Sequence, residues 1–150
     1  MKVGLISDTH GLLRAEALEA MRGCAHIIHA GDIGDRAILA ALEELAPVTA
    51  VRGNNDRGTW ARRIPETCVL RLGEATVYVI HDVKALELDP VAEGFAAVVS
   101  GHSHQPRMRE EGTVLFVNPG SAGPRRFKLP VSVGYLHVRG RKAHGELRAL

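Results

Sequence analysis

Five short apolar runs in this 150-residue chain each end on a side chain able to bind a metal. Residues 2–7 lead into Asp8 and His10, and residues 25–30 into Gly31-Asp32. Residues 48–52 lead into Gly53-Asn54, 76–80 into His81, and 96–100 into Gly101-His102-Ser103-His104. If the runs are neighbouring strands, two Asp, one Asn and four His meet at one sheet edge. In open α/β sheets, ligands bind in the crevice outside the carboxyl ends of the strands. Seven oxygen and nitrogen donors are about what two divalent cations need, with water or substrate filling the remaining positions.

Taken singly, the motifs are weak. Asp8 and His10 share a face if the backbone between them stays extended. Asp32 after Gly31 reads, by itself, more readily as a turn residue, and the segment Gly53-Asn54-Asn55-Asp56 also looks like a turn, because Asn and Asp tolerate left-handed backbone. His102 and His104 are harder to explain, since two imidazoles behind a glycine are costly to bury without a ligand. It is the repetition at five strand ends that points to metal chemistry.

The elements that would position these residues follow from the pattern. Residues 2–7 form a nearly all-apolar strand, as expected for one buried on both faces. Leu13, Ala17, Leu18 and Met21 make one stripe of a helix predicted over 11–22. Strands are predicted at 25–30 and 48–52. Between them a helix capped by Asp35 runs to about residue 45, and Pro47 follows it. Such β-α-β crossovers imply parallel strands with helices packed on them. From residue 67 the texture changes to a hairpin turning at Gly73-Glu74. Short antiparallel strands then follow near 107–110, 113–118, 131–139 and 142–148. The chain reads as one α/β domain, 1–150, with two sheets face to face and helices outside the N-terminal one.

Composition bounds the function. The chain is 45% hydrophobic and 24% charged, ordinary for a globular protein that buries a core. The net charge of +2 is too small to point to nucleic acid or an anionic membrane. No apolar stretch approaches the roughly 18–20 residues of a membrane span, and a cytoplasmic location is expected. Cys24 and Cys68 carry no paired motif and read as small buried hydrophobes.

The ordered set DxH, GD, GN, H, GHxH resembles the calcineurin-like metallophosphoesterase superfamily. It is most similar to the small single-domain prokaryotic phosphodiesterases, which also carry the Asn118-Pro119-Gly120-Ser121 element. The resemblance spans essentially the whole chain. It implies a four-layer α/β/β/α sandwich of two mixed β-sheets. It assigns one metal to Asp8, His10, Asp32 and His104, and a second to Asp32, Asn54, His81 and His102, with Asp32 bridging. Mixed imidazole, carboxylate and amide ligation suits Mn²⁺, Fe, Zn²⁺ or Ni²⁺ better than Mg²⁺ or Ca²⁺, and the family's usual activity with manganese puts Mn²⁺ first. The implied activity is hydrolysis of a small phosphodiester by metal-activated water, with Asn54, Asn55 and His81 bordering the phosphate. A nuclease is disfavoured by the near-neutral charge. A trafficking scaffold that shares the fold but not the catalysis is the alternative reading, and small relatives are often dimers or tetramers.

Two positions depart from the family pattern. Many members place a proton-donating His directly after the ligand Asn, where this chain has Asn55. Asp82 stands where the family usually has glycine. There it could repel a phosphate, occupy a coordination position, or turn outward. Elsewhere, His26 and His29 read as core or supporting histidines, and Asp56 as an orienter or a turn cap. Asn118 is expected to bond backbone, and Trp60 to pack near the cleft mouth. Arg57, Arg62, Arg63, Arg125 and Arg126 read as solvated surface, and His137 and His144 carry no motif.

Overall fold

A computed structural model describes residues 1–150. Strand β1 (Lys2–Ile6) shows how the architecture arises. Successive side chains of a strand point to opposite faces. Val3 and Leu5 enter a core between two sheets, while Ile6 enters a second core beneath the helices. Gly4 lies on the helix side, where a Cβ would press on the thioether of Met21. Both faces are covered, so the strand must be apolar throughout.

The same division runs through the chain. The first sheet has the order β10 (Lys142–Ala149), β9 (Ser132–Arg139), β1, β2 (His26–His29), β3 (Val48–Ala50). β1, β2 and β3 are parallel, and β9 and β10 are antiparallel additions at one edge. The second sheet has the order β4 (Thr67–Leu72), β5 (Ala75–Ile80), β6 (Ala97–Val99), β8 (Val114–Asn118), β7 (Arg107–Glu111). It too is mixed, with β5, β6 and β8 parallel and the two edge strands antiparallel. Val77, Val79, Ala97, Val99, Leu115 and Val117 meet the first sheet's inner face. Each large aliphatic side chain buried there contributes about 1.5–3 kcal/mol.

Helices α1 (Ala15–Ala20) and α2 (Arg36–Glu43) cover the first sheet through Ala17, Ile38, Leu39 and Leu42. On the far side, a 3-10 turn (Val83–Ala85) and the segment up to the short helix Pro90–Glu93 cover Tyr78, Ile80, Val98 and Phe116. The four-layer α/β/β/α sandwich is therefore what forms. The Asp35 cap is present, its carboxylate accepting from the Ala37 N–H at 2.9 Å.

Two local expectations are corrected, and three short helical segments are added. The first helix begins at Ala15, not near residue 11, because His10 and Gly11 have φ of 45° and 84°, outside the helical region. β3 stops at Ala50. A further short helix, Thr59–Arg62, together with the 3-10 turn and Pro90–Glu93, is too brief to leave a 3.6-residue apolar period in the sequence.

Candidate metal centre

The strands β1, β2, β5 and β6 end on the same side of the two sheets, and the loops that follow bring the candidate ligands together. They do so with unusual backbone. Six non-glycine residues have positive φ, and five of them are Asp8, His10, Asp32, His102 and His104. Such conformations cost of order 1–3 kcal/mol each and persist only where the surroundings enforce them. The expectation that Asp8 and His10 share a face through extended backbone is therefore corrected. The two residues converge through a left-handed turn tied down by His10 N–H to Asp32 O at 2.9 Å and Gly11 N–H to Ile33 O at 2.8 Å.

Two glycines allow the close approach. A Cβ at Gly53 would overlap the Asp32 carboxylate, and one at Gly101 would overlap Ser7 Oγ and crowd Asp8 Oδ2. Neither has positive φ, so it is the lack of a side chain that matters here.

The two carboxylates are held differently. Asp8 is fully buried. Its Oδ2 accepts from Ser7 Oγ at 2.7 Å and from the His102 backbone N–H at 3.0 Å. Its Oδ1 accepts nothing, though it faces His104 Nε2 at 3.4 Å, His10 Nε2 at 3.7 Å and His81 Nε2 at 3.9 Å. Asp32 accepts from the Asn55 N–H on Oδ1 at 2.9 Å and from the Asn55 amide on Oδ2 at 3.0 Å. Its Oδ2 also faces His81 Nε2 at 3.3 Å and His10 Nε2 at 3.6 Å.

The donors fall into two overlapping triads, Asp8–His10–His104 and Asp8–Asp32–His81. Asp8 belongs to both, and Asp32 Oδ2 faces a histidine from each. His102 belongs to neither triad. Its ring stands edge-on to His81 with centroids 5.2 Å apart, and its Nε2 lies 3.7 Å from Asp82 Oδ2. Asn54, His81, Asp82 and His102 line a cleft of about 780 Å³ that continues past Arg52, Tyr78 and Leu88. The structure thus gathers all seven predicted ligands at one edge and packs five of them tightly. Asn55 turns its amide onto Asp32.

Electrostatics follow from this crowding. Burial works to raise the Asp8 pKa, but the His10 and His104 imidazoles, the His81 charge and the Ser7 hydroxyl hold it far below the usual carboxylate range. Asp32 is lowered too, burial being outweighed by His81 and Asn55. His10 is raised, chiefly by Asp8. For His81 burial pulls downward, yet Asp32, Asp8 and the Ala30 carbonyl raise it overall.

Supporting residues complete the site. His29 is fully buried, with Nδ1 accepting from the Gly31 N–H at 3.1 Å. Its Nε2–H therefore donates to Thr9 Oγ1 at 3.0 Å, and the Thr9 hydroxyl donates in turn to Ile33 O at 2.8 Å. Asp56 accepts from the N–H groups of Gly34 and Gly53, both at 2.9 Å, and so orients the loop carrying Asn54. The Asn118 amide donates to Gly101 O at 2.8 Å, a backbone bond as expected. Ser7 and Thr9 were not foreseen. The one available signal was their position: polar residues either side of Asp8 at the end of an apolar run.

The donor set fits a metal. Asp8 Oδ1, His81 Nε2 and His104 Nδ1 are buried without a hydrogen-bond partner. His81 Nδ1 lies 2.7 Å from Ala30 O, which requires it to donate, and so leaves a bare lone pair on Nε2 of the neutral ring. An unpaired buried polar atom costs about 1–3 kcal/mol, and a cation between Asp8 Oδ1 and His81 Nε2 removes that cost for both.

The family profile described as "Calcineurin-like phosphoesterase superfamily domain" matches residues 1–141. The chain belongs to this superfamily. The phosphoesterase domain is 37% identical over 158 residues to a probable metallophosphoesterase of Methanothermobacter thermautotrophicus, covering 98% of this chain and 91% of that one. Among solved structures, a Vps29 single mutant from Entamoeba histolytica superposes with a TM-score of 0.78 at 20% identity, over 100% of this chain and 99% of that one. Yfce, a phosphoesterase from E. coli, superposes with a TM-score of 0.69 at 26% identity, over 91% and 88%. The likeness to Vps29 shows the shared fold. The superfamily depends on divalent metal, and this phosphoesterase domain carries candidate ligands for it. No helix is long and apolar enough to cross a membrane.

Proposed function

We propose that this domain is a phosphodiesterase that hydrolyses small phosphodiesters with two divalent cations, Mn²⁺ first among them. The observation that carries the reading is the facing pair Asp8 Oδ1 and His81 Nε2. Both are buried, both lack a hydrogen-bond partner, and they lie 3.9 Å apart in the second triad, which shares Asp8 with the first. Bound there, two cations would neutralise phosphoryl charge and supply a water acidic enough to attack phosphorus.

The chain's own residues do the rest. Asp8, His10, Asp32, His81 and His104 supply mixed nitrogen and oxygen donors, which favour Mn²⁺, Fe, Zn²⁺ or Ni²⁺ over Mg²⁺ or Ca²⁺. Asn54 and His81 line the cleft and would border the phosphate. Asn55 holds Asp32 in place, so no proton donor stands at that position for the departing alcohol. The cleft volume of about 780 Å³ suits a small diester, and the net charge of +2 gives no reason to expect a nucleic acid.

The test is turnover of bis(p-nitrophenyl) phosphate by chelator-treated protein before and after Mn²⁺ is restored. Activity should appear only with the metal. Protein that carries two Mn²⁺ and leaves the ester intact overturns the reading and favours an interaction module.

A further inference from the structure

Asp82 lies beside the metal centre but in neither triad, and its carboxylate is held in a defined orientation. One oxygen, Oδ1, accepts from the Lys84 N–H at 3.0 Å and caps the 3-10 turn Val83–Ala85. The other, Oδ2, accepts no hydrogen bond, and the one basic side chain it faces is His102, with Nε2 at 3.7 Å. Asp82 and His102 together line the 780 Å³ cleft on one side and a second depression of about 290 Å³ on the other. The pair therefore forms the partition between the two.

His102 needs such a neighbour. A metal-bound imidazole almost always donates its second ring N–H to a carboxylate, carbonyl or water, which fixes both tautomer and ring direction. His81 has that support from Ala30 O. The His102 backbone is fixed, since its N–H donates to Asp8 Oδ2, but its half-exposed ring makes no hydrogen bond of its own. The one carboxylate within 4 Å of that ring is Asp82, and its Oδ2 faces Nε2.

We propose that Asp82 is the positioning residue for His102: its carboxylate keeps the proton on Nε2 and leaves Nδ1 as the donor atom for the second cation. The inference rests on the two-cation reading above. It assigns a use to a carboxylate at a position where the family pattern has no side chain. Asp82 then acts through His102 and touches neither cation nor substrate.

Two variants separate this role from capping. Asp82→Ser can still cap the Lys84 N–H but is too short to reach His102. Asp82→Asn keeps the shape. With its amide oxygen on Lys84, it presents an N–H₂ donor to Nε2, the wrong partner for that tautomer. Long-range ¹H–¹⁵N correlation of the metal-free protein, with imidazoles neutral, reads the His102 tautomer directly. Mn²⁺ titration by calorimetry reads the two sites, and circular dichroism reads the fold.

The expected result is an Nε2–H tautomer in the wild type that is lost in Asp82→Asn, whose amide N–H₂ faces Nε2. The second Mn²⁺ should bind roughly 10–100-fold more weakly in the variants, with the first unchanged. A wild-type Nδ1–H tautomer overturns the proposal. So does an Asp82→Asn protein that binds the second Mn²⁺ as tightly as the wild type, or more tightly, as a merely repulsive carboxylate would predict. Wild-type protein that binds fewer than two Mn²⁺ overturns the two-cation reading, while the tautomer still decides whether Asp82 governs His102.

Discussion

Asn55 grips Asp32 with two hydrogen bonds, one to each carboxylate oxygen, from its backbone N–H at 2.9 Å and its amide at 3.0 Å. A side chain that the sequence suggests as a partner for phosphate is in place as a clamp on the Asp32 carboxylate of the second triad. Replacing Asn55 by Ala removes the bond to Oδ2 and keeps the backbone one. Metal affinity should fall by about 10–100-fold, the usual cost of losing an outer partner of a ligand. Mn²⁺ titration of the folded variant measures it, and unchanged affinity would show that the clamp is dispensable.

The same arrangement predicts a dependence on leaving group. General acid catalysis contributes typically 10²–10⁴-fold, and Asn55 cannot provide it. Aryl phosphodiesters should turn over much faster than alkyl ones. A series of diesters with graded leaving-group pKa should give a steep fall in kcat/KM. Equal rates, after correction for solution reactivity, would mean that another group supplies the proton.

Asp32→Asn should abolish turnover of bis(p-nitrophenyl) phosphate and reduce Mn²⁺ stoichiometry while leaving the fold intact. The amide keeps the volume but loses the charge that faces His10 and His81 at 3.6 and 3.3 Å. Wild-type rates in this variant would show that the triads are misassigned.

Gly101→Ala tests the packing behind the centre. Its Cβ would overlap Ser7 Oγ and crowd Asp8 Oδ2, and neither has room to move in a fully buried site. Overpacking of this kind costs typically 1–3 kcal/mol, to be read as a lower urea midpoint. Metal binding should weaken as well, because the displaced carboxylate is Asp8.

His29 makes stability depend on pH. Burial pulls its pKa from 6.5 down to about 4, with nearby carboxylates only partly opposing the shift. The unfolded chain takes up this proton near pH 6.5 and the folded chain only near pH 4, so the unfolded state binds more protons in between. Stability therefore falls as pH drops through that window, by about 3 kcal/mol in full. Urea unfolding of chelator-treated protein at pH 7 and 4.5 measures the loss. In His29→Gln, where an amide replaces the ring and cannot titrate, this part of the slope should vanish.

Much of the fold could be read from residue order. β1, β5 and β6 are buried on both faces, so each is a nearly continuous apolar run, and each run stops where polar chemistry begins. The parallel links among β1, β2 and β3 followed from intervening helical stripes, and the β4–β5 hairpin from Gly73-Glu74 between alternating strands. The helices Thr59–Arg62 and Pro90–Glu93 span four residues each, too few for periodicity to register.

The identity and order of the candidate ligands belong to the chain itself: Asp, His, Asp, Asn, His, His and His, gathered behind five apolar runs. The left-handed backbone at five of these residues, the bare Oδ1 of Asp8, the Asn55 clamp and the facing of Asp82 with His102 Nε2 arise only on folding. Each depends on groups far apart in sequence, such as the His102 N–H on Asp8 Oδ2 across 94 residues. Local patterning sets which side chains reach the sheet edge. Which of their atoms are satisfied and which are left to bind a cation is decided by partners that only the packed sheets bring within reach.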